Sequence, residues 1–281
     1  MISVALGLLG AAVYGASDFF GGMAARAISS IRVTAIASGV AFVLTAVLGL
    51  LVPTKWSAGA LLWGGLAGVA GALALVLLYA CLAIGPMSIL SPLMALVSAI
   101  VPIAIGFARG ERLSLAGNAG LAIGLAAVIL ICFVPGAKVV RPSLRGVLYA
   151  IGAGLLIGTY LICIDLSPSD SGPAPLIVTM AASGVVMLLI LAVQRTRGPF
   201  AVIGRTTWLF ALACGATDAV AAFLFLLALR AGDLSIVSVL NALAPAGTIV
   251  LAALVLRERI AVVQWIGLVV ALAAAALLSL A

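Results

Sequence analysis

The sequence predicts an all-α integral membrane protein in which ten transmembrane helices form two inverted five-helix repeats. Three observations lead to this fold class: an extremely apolar composition, ten apolar runs separated by short polar breaks, and an internal repeat with an offset of 147 residues. Together they place almost the whole chain inside a lipid bilayer.

The composition alone excludes a soluble globular protein. Of the 281 residues, 66% are hydrophobic and 7% are charged, and the mean hydropathy is +1.45. A soluble domain has about 25% charged and about 45–50% apolar residues. No polar stretch is long enough to form a soluble domain beside a membrane anchor, so the function must lie within or across the membrane.

Ten apolar runs have the length that a membrane-spanning helix requires, which is about 20 residues. The breaks between them carry Arg, Lys, Pro or Gly. The first run lacks a basic start and contains Asp18, so it is interpreted as a retained helix rather than a signal peptide. The runs cover residues 2–24, 32–52, 57–83, 87–108, 115–135, 143–164, 173–194, 207–229, 234–256 and 260–280.

The charged and reactive residues exclude several other classes of function. The net charge is +7, but the Arg and Lys residues fall mainly between the apolar runs, where they orient helices, and no nucleic-acid partner is expected. The four cysteines lie in four different runs and form no C-x-x-C pair. Histidine is absent, which excludes histidine-based metal sites and proton relays. No metal and no cofactor is predicted.

The internal repeat divides the chain into two halves of five helices. With an offset of 147, the G-x-x-S-x-x-S pattern that starts at Gly85 recurs from Gly232, and Gly120 falls on Gly267. The pair Glu111-Arg112 likewise falls on Glu258-Arg259. An odd number of helices inverts the second half relative to the first, as in many secondary transporters. The predicted domains are residues 1–137 and 138–281.

Several short elements resemble a known family. They are Tyr14-Gly15-Ala16-Ser17-Asp18-Phe19 with its partner Gly158-Thr159-Tyr160, and Gly110-Glu111-Arg112 with its partner Arg257-Glu258-Arg259. With the length and the duplication, they make the chain similar to the drug/metabolite transporter superfamily, in its ten-helix branch with two EamA domains. The resemblance implies export or exchange of small metabolites, often amino acids, through a central cavity lined mainly by helices 1, 3, 4, 6, 8 and 9.

The orientation of the chain stays open at this stage. The loops after odd-numbered helices carry ten Arg and Lys residues, whereas those after even-numbered helices carry four. By the positive-inside rule both termini would lie outside, whereas the family resemblance implies cytoplasmic termini. In either case both termini lie on the same side.

Two carboxylates inside the apolar runs are the main candidate site residues. Asp18 lies in the first run and Asp218 near the centre of the eighth, where an ionisable group is costly and usually faces a cavity or a partner. Asp18 is predicted to bind a substrate amine or a proton, and Asp218 to exchange protons. The alternative for Asp18 is a structural acid that caps a neighbouring helix end or lies near the membrane interface. The alternative for Asp218 is a protonated carboxyl group hydrogen-bonded within the bundle.

Further polar and proline residues within the runs complete the candidate site. Aromatic hydroxyls and small polar groups can hydrogen-bond a substrate or another helix, and proline can create a hinge in a gate helix. The remaining substrate-binding candidates are Tyr14, Ser17, Tyr79, Ser91, Tyr160 and Asn241, and the hinge candidates are Pro92, Pro102 and Pro245.

These features predict a secondary active transporter that exports or exchanges small neutral or zwitterionic metabolites by alternating access, with possible coupling to protons. The absence of a mid-span Lys or Arg disfavours phosphorylated or dicarboxylate substrates. A passive channel or facilitator and an intramembrane enzyme are the alternatives. The expected partners are a small-molecule substrate, protons and the lipid bilayer. The protein is expected to be a multi-pass protein of a prokaryotic inner membrane, as a monomer or weak homodimer. No enzymatic activity is expected.

Overall fold

A computed structural model of the chain describes residues 1–84, 87–133, 143–195, 204–257 and 260–280, and this part contains α-helices, one short 3-10 helix and no strands. The prediction of an all-α membrane fold is confirmed. The helices are α1 (Ile2–Ala25), α2 (Ser30–Leu51), α3 (Ala58–Ile84), α4 (Met87–Ala108), α5 (Leu115–Cys132), α6 (Leu144–Asp165), α7 (Ala174–Arg195), α8 (Arg205–Ala231), α9 (Leu234–Ala242), α10 (Ala244–Leu256) and α11 (Val262–Leu278).

Eight candidate spans among the described residues are long and apolar enough to cross a membrane, and one of them, Leu234–Leu256, comprises α9 and α10 together. The apolar segments Pro92–Ala108 and Val262–Leu278 are shorter. The ninth predicted run is therefore not one continuous helix. It breaks at Leu243, and Pro245 occupies the first turn of α10, where its missing N–H group costs no helical hydrogen bond.

The helix contacts are symmetric between the two halves of the chain. Here α1 to α5 correspond to α6, α7, α8, the pair α9 and α10, and α11. α1 packs against α8 and against α9 and α10, whereas α6 packs against α3 and α4. α3 contacts α7 as α2 contacts α8, and α5 lies against α11. These are the helix pairs that a two-fold relation between the halves would bring into contact. The predicted boundary between residues 137 and 138 lies outside the described residues.

Glycines allow the closest of these crossings, and two of them occupy matching positions in the repeat. A side chain at Gly68 would collide with the backbone of α7 at Thr179, and one at Gly215 would collide with the backbone of α2 at Ala37. Gly68 and Gly215 are 147 residues apart. Small residues at helix crossings are the usual means of close packing in membranes.

Polar contacts join the loops at the end of the bundle where the N-terminus lies. This end, called the terminal face, comprises residues 52–57, 109–114, 166–173 and 232–233 together with residues 1 and 280. Arg109 forms an ion pair with Asp165, and Lys55 pairs with Asp170 at 3.2 Å. The Nη2 atom of Arg230 donates to the carbonyl oxygen of Gly172 at 2.8 Å. These contacts hold the loop between α6 and α7 across the terminal face.

Candidate functional site

The helices α1 and α8 run antiparallel in a register that brings the two intramembrane carboxylates to one level. Gly10 faces the ring of Phe225 and Gly21 faces the sulfur of Cys214, so the same interval of eleven residues separates the contact points on both helices. In this register Asp18 lies level with residue 217, next to Asp218. The two carboxylates interact electrostatically across the helix pair.

Asp18 is accessible although it lies well inside α1. Its side chain is exposed, whereas Ser17 and Phe19 on either side are buried. Within the described part of the chain Asp18 forms no hydrogen bond and no ion pair. The side chain of Asp18 lies close enough to Asp218 on α8 to interact with it, and no cationic group among the described residues pairs with it.

Asp218 is half-buried and has a polar neighbour on each side. The hydroxyl of Tyr14 on α1 hydrogen-bonds its carboxylate, and Tyr160 on α6 lies near enough to interact with it electrostatically. The ring of Tyr14 also packs edge-to-face on Phe225, with ring centroids 6.0 Å apart. Four predicted site residues, Tyr14, Asp18, Tyr160 and Asp218, are thus brought together between α1, α6 and α8.

An aromatic and apolar wall surrounds this group on the side towards the terminal face. Tyr14, Tyr160 and Trp63 pack against the buried cluster that contains Phe225 and Leu226. Phe225 was not a predicted site residue, although it lies two helical turns after Asp218 on the same face of α8. The arrangement combines two carboxylates with aromatic surface, which suits a solute with a cationic group and an apolar body.

The other four predicted substrate-binding residues are not placed beside the two carboxylates by any described contact. Ser17 is buried, and its hydroxyl donates to the carbonyl oxygen of Cys214 at 3.0 Å, so it joins α1 to α8. Asn241 is half-buried at the end of α9, and its side chain makes no hydrogen bond with the described residues. The side chains of Tyr79 and Ser91 lie outside the described part of the structure.

The three prolines differ in their effect on the backbone. Pro245 follows the break between α9 and α10, where a hinge was predicted. Pro92 and Pro102 lie inside α4, which continues through both of them. Pro102 is buried and packs near Gly158 of α6. A Cβ atom added at Gly158 would lie 3.1 Å from the Cδ atom of Pro102.

Close crossings on both sides position the carboxylate-bearing helix. An added side chain at Gly15 would lie 2.5 Å from the carbonyl oxygen of Ala244, and Thr248 donates its hydroxyl to the carbonyl oxygen of Gly15 at 3.0 Å. Tyr14 and Asp18 are therefore held between α8 and the first turns of α10. Among the described residues no group of three or more His, Cys, Asp or Glu residues could hold a metal ion.

The apolar helices identify an integral, multi-pass membrane protein. A solved crystal structure superposes with a TM-score of 0.77 at 18% sequence identity, over 99% of this chain and 97% of that chain, and 28 solved chains match in all. The profile of the EamA-like transporter family matches residues 144–280. This match covers the second half of the chain and supports the resemblance to the drug/metabolite transporter superfamily. No curated protein matches it.

Proposed function

We propose that the protein is a secondary active transporter that exports or exchanges small neutral or zwitterionic metabolites, such as amino acids, by alternating access. The substrate binds between α1, α6 and α8, where Asp18 holds its amino group and the rings of Tyr14 and Tyr160 contact its body. Asp218 exchanges the coupled proton. The two five-helix halves rearrange around this site.

The observation that carries the proposal is the pair of carboxylates on α1 and α8. Asp18 and Asp218 lie level, interact with each other and have no cationic partner among the described residues. Two neighbouring carboxylates repel, so binding of a proton or a substrate amine to one of them relieves this repulsion. Protons and substrate can therefore compete for the same pair, which is a requirement for exchange.

Two further features support movement around this site. The span formed by α9 and α10 is discontinuous at Leu243, and broken helices at the repeat interface are common in transporters. The two halves also meet through matching crossings at Gly68 and Gly215. A pair of related but separate crossings gives each half a surface on which it can shift.

The proposal is tested by transport into proteoliposomes with a mixture of radiolabelled amino acids. Wild-type protein should show saturable counterflow, and an imposed pH gradient should drive accumulation. Asp218→Asn keeps the size and the hydrogen bonding of the side chain but removes its titration. We expect this variant to lose accumulation under a pH gradient and to keep most of its exchange at equal pH.

Asp170→Asn is the matched control, because it makes the same chemical change in an exposed carboxylate of the α6–α7 loop. It should accumulate the amino acids as wild type does. Accumulation by Asp218→Asn at the wild-type level would make Asp218 a structural residue. Uptake that neither saturates nor responds to counter-substrate would instead identify a passive channel.

A further inference from the structure

The N-terminus of α9 is capped by a side chain from the other half of the chain. The Oε1 atom of Glu111 accepts the N–H group of Leu234 at 2.9 Å, and its Oε2 atom accepts the N–H group of Ser235 at 3.2 Å. The Ser235 hydroxyl donates to the same carboxylate. Glu111 thus satisfies two of the backbone donors that every helix start leaves free.

The end of α4 directs Glu111 towards α9. The N–H group of Glu111 bonds to the carbonyl oxygen of Gly106 at 3.1 Å, and that of Gly110 bonds to the carbonyl oxygen of Phe107 at 3.0 Å. This pair of bonds is a Schellman motif, and Gly110 has the positive φ of 97° that the motif requires. Gly106 has no side chain, which leaves room for the Glu111 carboxylate beside Ser235.

α9 also has a capping residue of its own, which is not used. Asp233 occupies the N-cap position with φ −70° and ψ 141°, the extended backbone of a capping residue, but its side chain makes no capping bond. Aspartate is among the preferred residues at this position. An N-cap side chain accepts the N–H group of the second or third helical residue. The N–H group of the second residue, Ser235, is already held by Glu111.

The two carboxylates compete at one helix end. Burial and the nearby charge of Glu111 raise the pKa of Asp233. Among the other charged groups of the terminal face, Lys55 pairs with Asp170, Arg109 pairs with Asp165, and Arg230 bonds to the α6–α7 loop. Arg112 follows Glu111 in the chain, is exposed and forms no ion pair with the described residues. Glu111 and Asp233 are therefore the two carboxylates that can cap α9.

We propose that the start of α9 is a two-position switch that closes the terminal face when Glu111 caps it and lets that face open when Asp233 takes over the cap. In the first position the cap ties α4 to α9 and so joins the two halves. In the second position Asp233 accepts the N–H group of Ser235, and water at the helix end can accept that of Leu234. The halves can then separate without leaving these backbone donors unpaired. The inference rests on the proposed alternating access.

The experiment measures distances between spin labels on the two sides of the switch. Leu115→Cys at the start of α5 and Ala231→Cys at the end of α8 are both exposed positions. They are labelled in a chain whose four native cysteines are replaced by alanine, and the full-length protein is reconstituted in lipid nanodiscs. Double electron–electron resonance then gives the populations with short and long distances, corresponding to a closed and an open terminal face.

Removal of the Glu111 cap and removal of the Asp233 cap should shift these populations in opposite directions. Glu111→Ala should raise the ratio of long to short distances about fivefold, and Asp233→Ala should lower it by a similar factor, since loss of an N-cap has about that effect. Asp233→Asn is the matched control, because asparagine also caps helices, and should stay close to wild type. The double variant Glu111→Ala, Asp233→Ala should lie between the single variants.

A switch would be disproved if Asp233→Ala behaved as Asp233→Asn does, or if Glu111→Ala left the distances unchanged. If Glu111→Ala does not fold, Gly106→Ala replaces it, since the added methyl group displaces Glu111 while both carboxylates remain. Amino-acid transport by the same variants is measured separately. The spin-label distances could respond as expected although the protein transports no amino acid. This result would reject the proposed function but not the switch.

Discussion

Gly120 and Gly267 make the same contact from opposite halves of the chain. A side chain at Gly120 would lie 3.0 Å from the backbone nitrogen of Leu278, and one at Gly267 would lie 2.8 Å from that of Ile131. Gly120 and Gly267 are 147 residues apart, as are Ile131 and Leu278. The helices α5 and α11 therefore meet through one contact made twice, which supports the proposal of a two-fold repeat.

This reciprocity predicts equal costs of substitution. Gly120→Ala and Gly267→Ala should each destabilise the protein by about 1–3 kcal/mol, because the added methyl group collides with backbone that cannot move away. Gly39→Ala is the control, since open space surrounds that position on α2. Thermal unfolding in detergent measures all three variants. Clearly different losses at Gly120 and Gly267 would argue against equivalent packing of the two halves.

The repeat also predicts that the protein would be more stable with glycine than with arginine at position 257. Arg257 at the end of α10 has a φ of 56°, and its counterpart 147 residues earlier is Gly110, with a φ of 97°. The left-handed conformation costs a residue with a side chain about 1–2 kcal/mol. Arg257→Gly should therefore raise the thermal unfolding temperature, and Gly110→Arg should lower it. A lower unfolding temperature for Arg257→Gly would mean that the Arg257 side chain stabilises the protein by more than its left-handed backbone conformation costs.

Asp18→Asn is expected to separate substrate binding from proton exchange. The side chain of Asp18 is exposed and forms no hydrogen bond or ion pair with the described residues. Its neutral amide should weaken the binding of solutes that carry an amine by roughly tenfold, because a charge-assisted hydrogen bond is lost. Counterflow in proteoliposomes, measured as the half-saturating concentration of the amino-acid mixture, tests this. An unchanged value would place the substrate amine elsewhere.

The stability of the terminal face should depend on pH through Asp233. Its pKa is raised in the folded protein, chiefly by burial and also by Glu111. The folded state therefore holds the proton more tightly than the unfolded chain does. This stabilisation is complete below the ordinary pKa of aspartate and is lost as the pH rises through the raised pKa.

Asp233→Asn removes that pH dependence. The unfolding temperature of wild type relative to this variant should decrease as the pH rises through the acidic range, and the difference should stay constant above it. The measurement is thermal unfolding of both proteins in the same detergent from pH 4 to pH 8. A difference that does not vary with pH would show that Asp233 is equally protonated in the folded and unfolded chain.

The sequence was sufficient for the fold class because the bilayer imposes a simple requirement on composition and length. The run predicted at residues 87–108 coincides with α4, and that at 2–24 differs from α1 by one residue. A hinge was predicted at Pro245, but the division of this span into two helices at Leu243 was not, since residues 234–256 contain no charged residue. Pro245 gave the only signal of it, and a proline does not break every helix, as α4 demonstrates.

The site was only partly predictable, because it depends on contacts between distant segments. The sequence identified Asp18 and Asp218 as costly intramembrane charges but could not show that they lie level, which follows from the register of α1 and α8. Glu111 was not among the predicted site residues. Its role depends on Ser235, 124 residues further along the chain, and the repeated Glu-Arg pair was the only sequence signal for it.

The ion pairs of the terminal face make that face responsive to the solution on its own side of the membrane. Lys55 and Asp170 are exposed to that solution, as is about half of the Arg109 side chain that pairs with Asp165. Dissolved salt weakens such exposed pairs, with a screening length of about 8 Å at physiological ionic strength. The ionic strength of the compartment that bathes this face therefore acts directly on the contacts that hold it together, and a change of salt on the other side of the bilayer does not reach them.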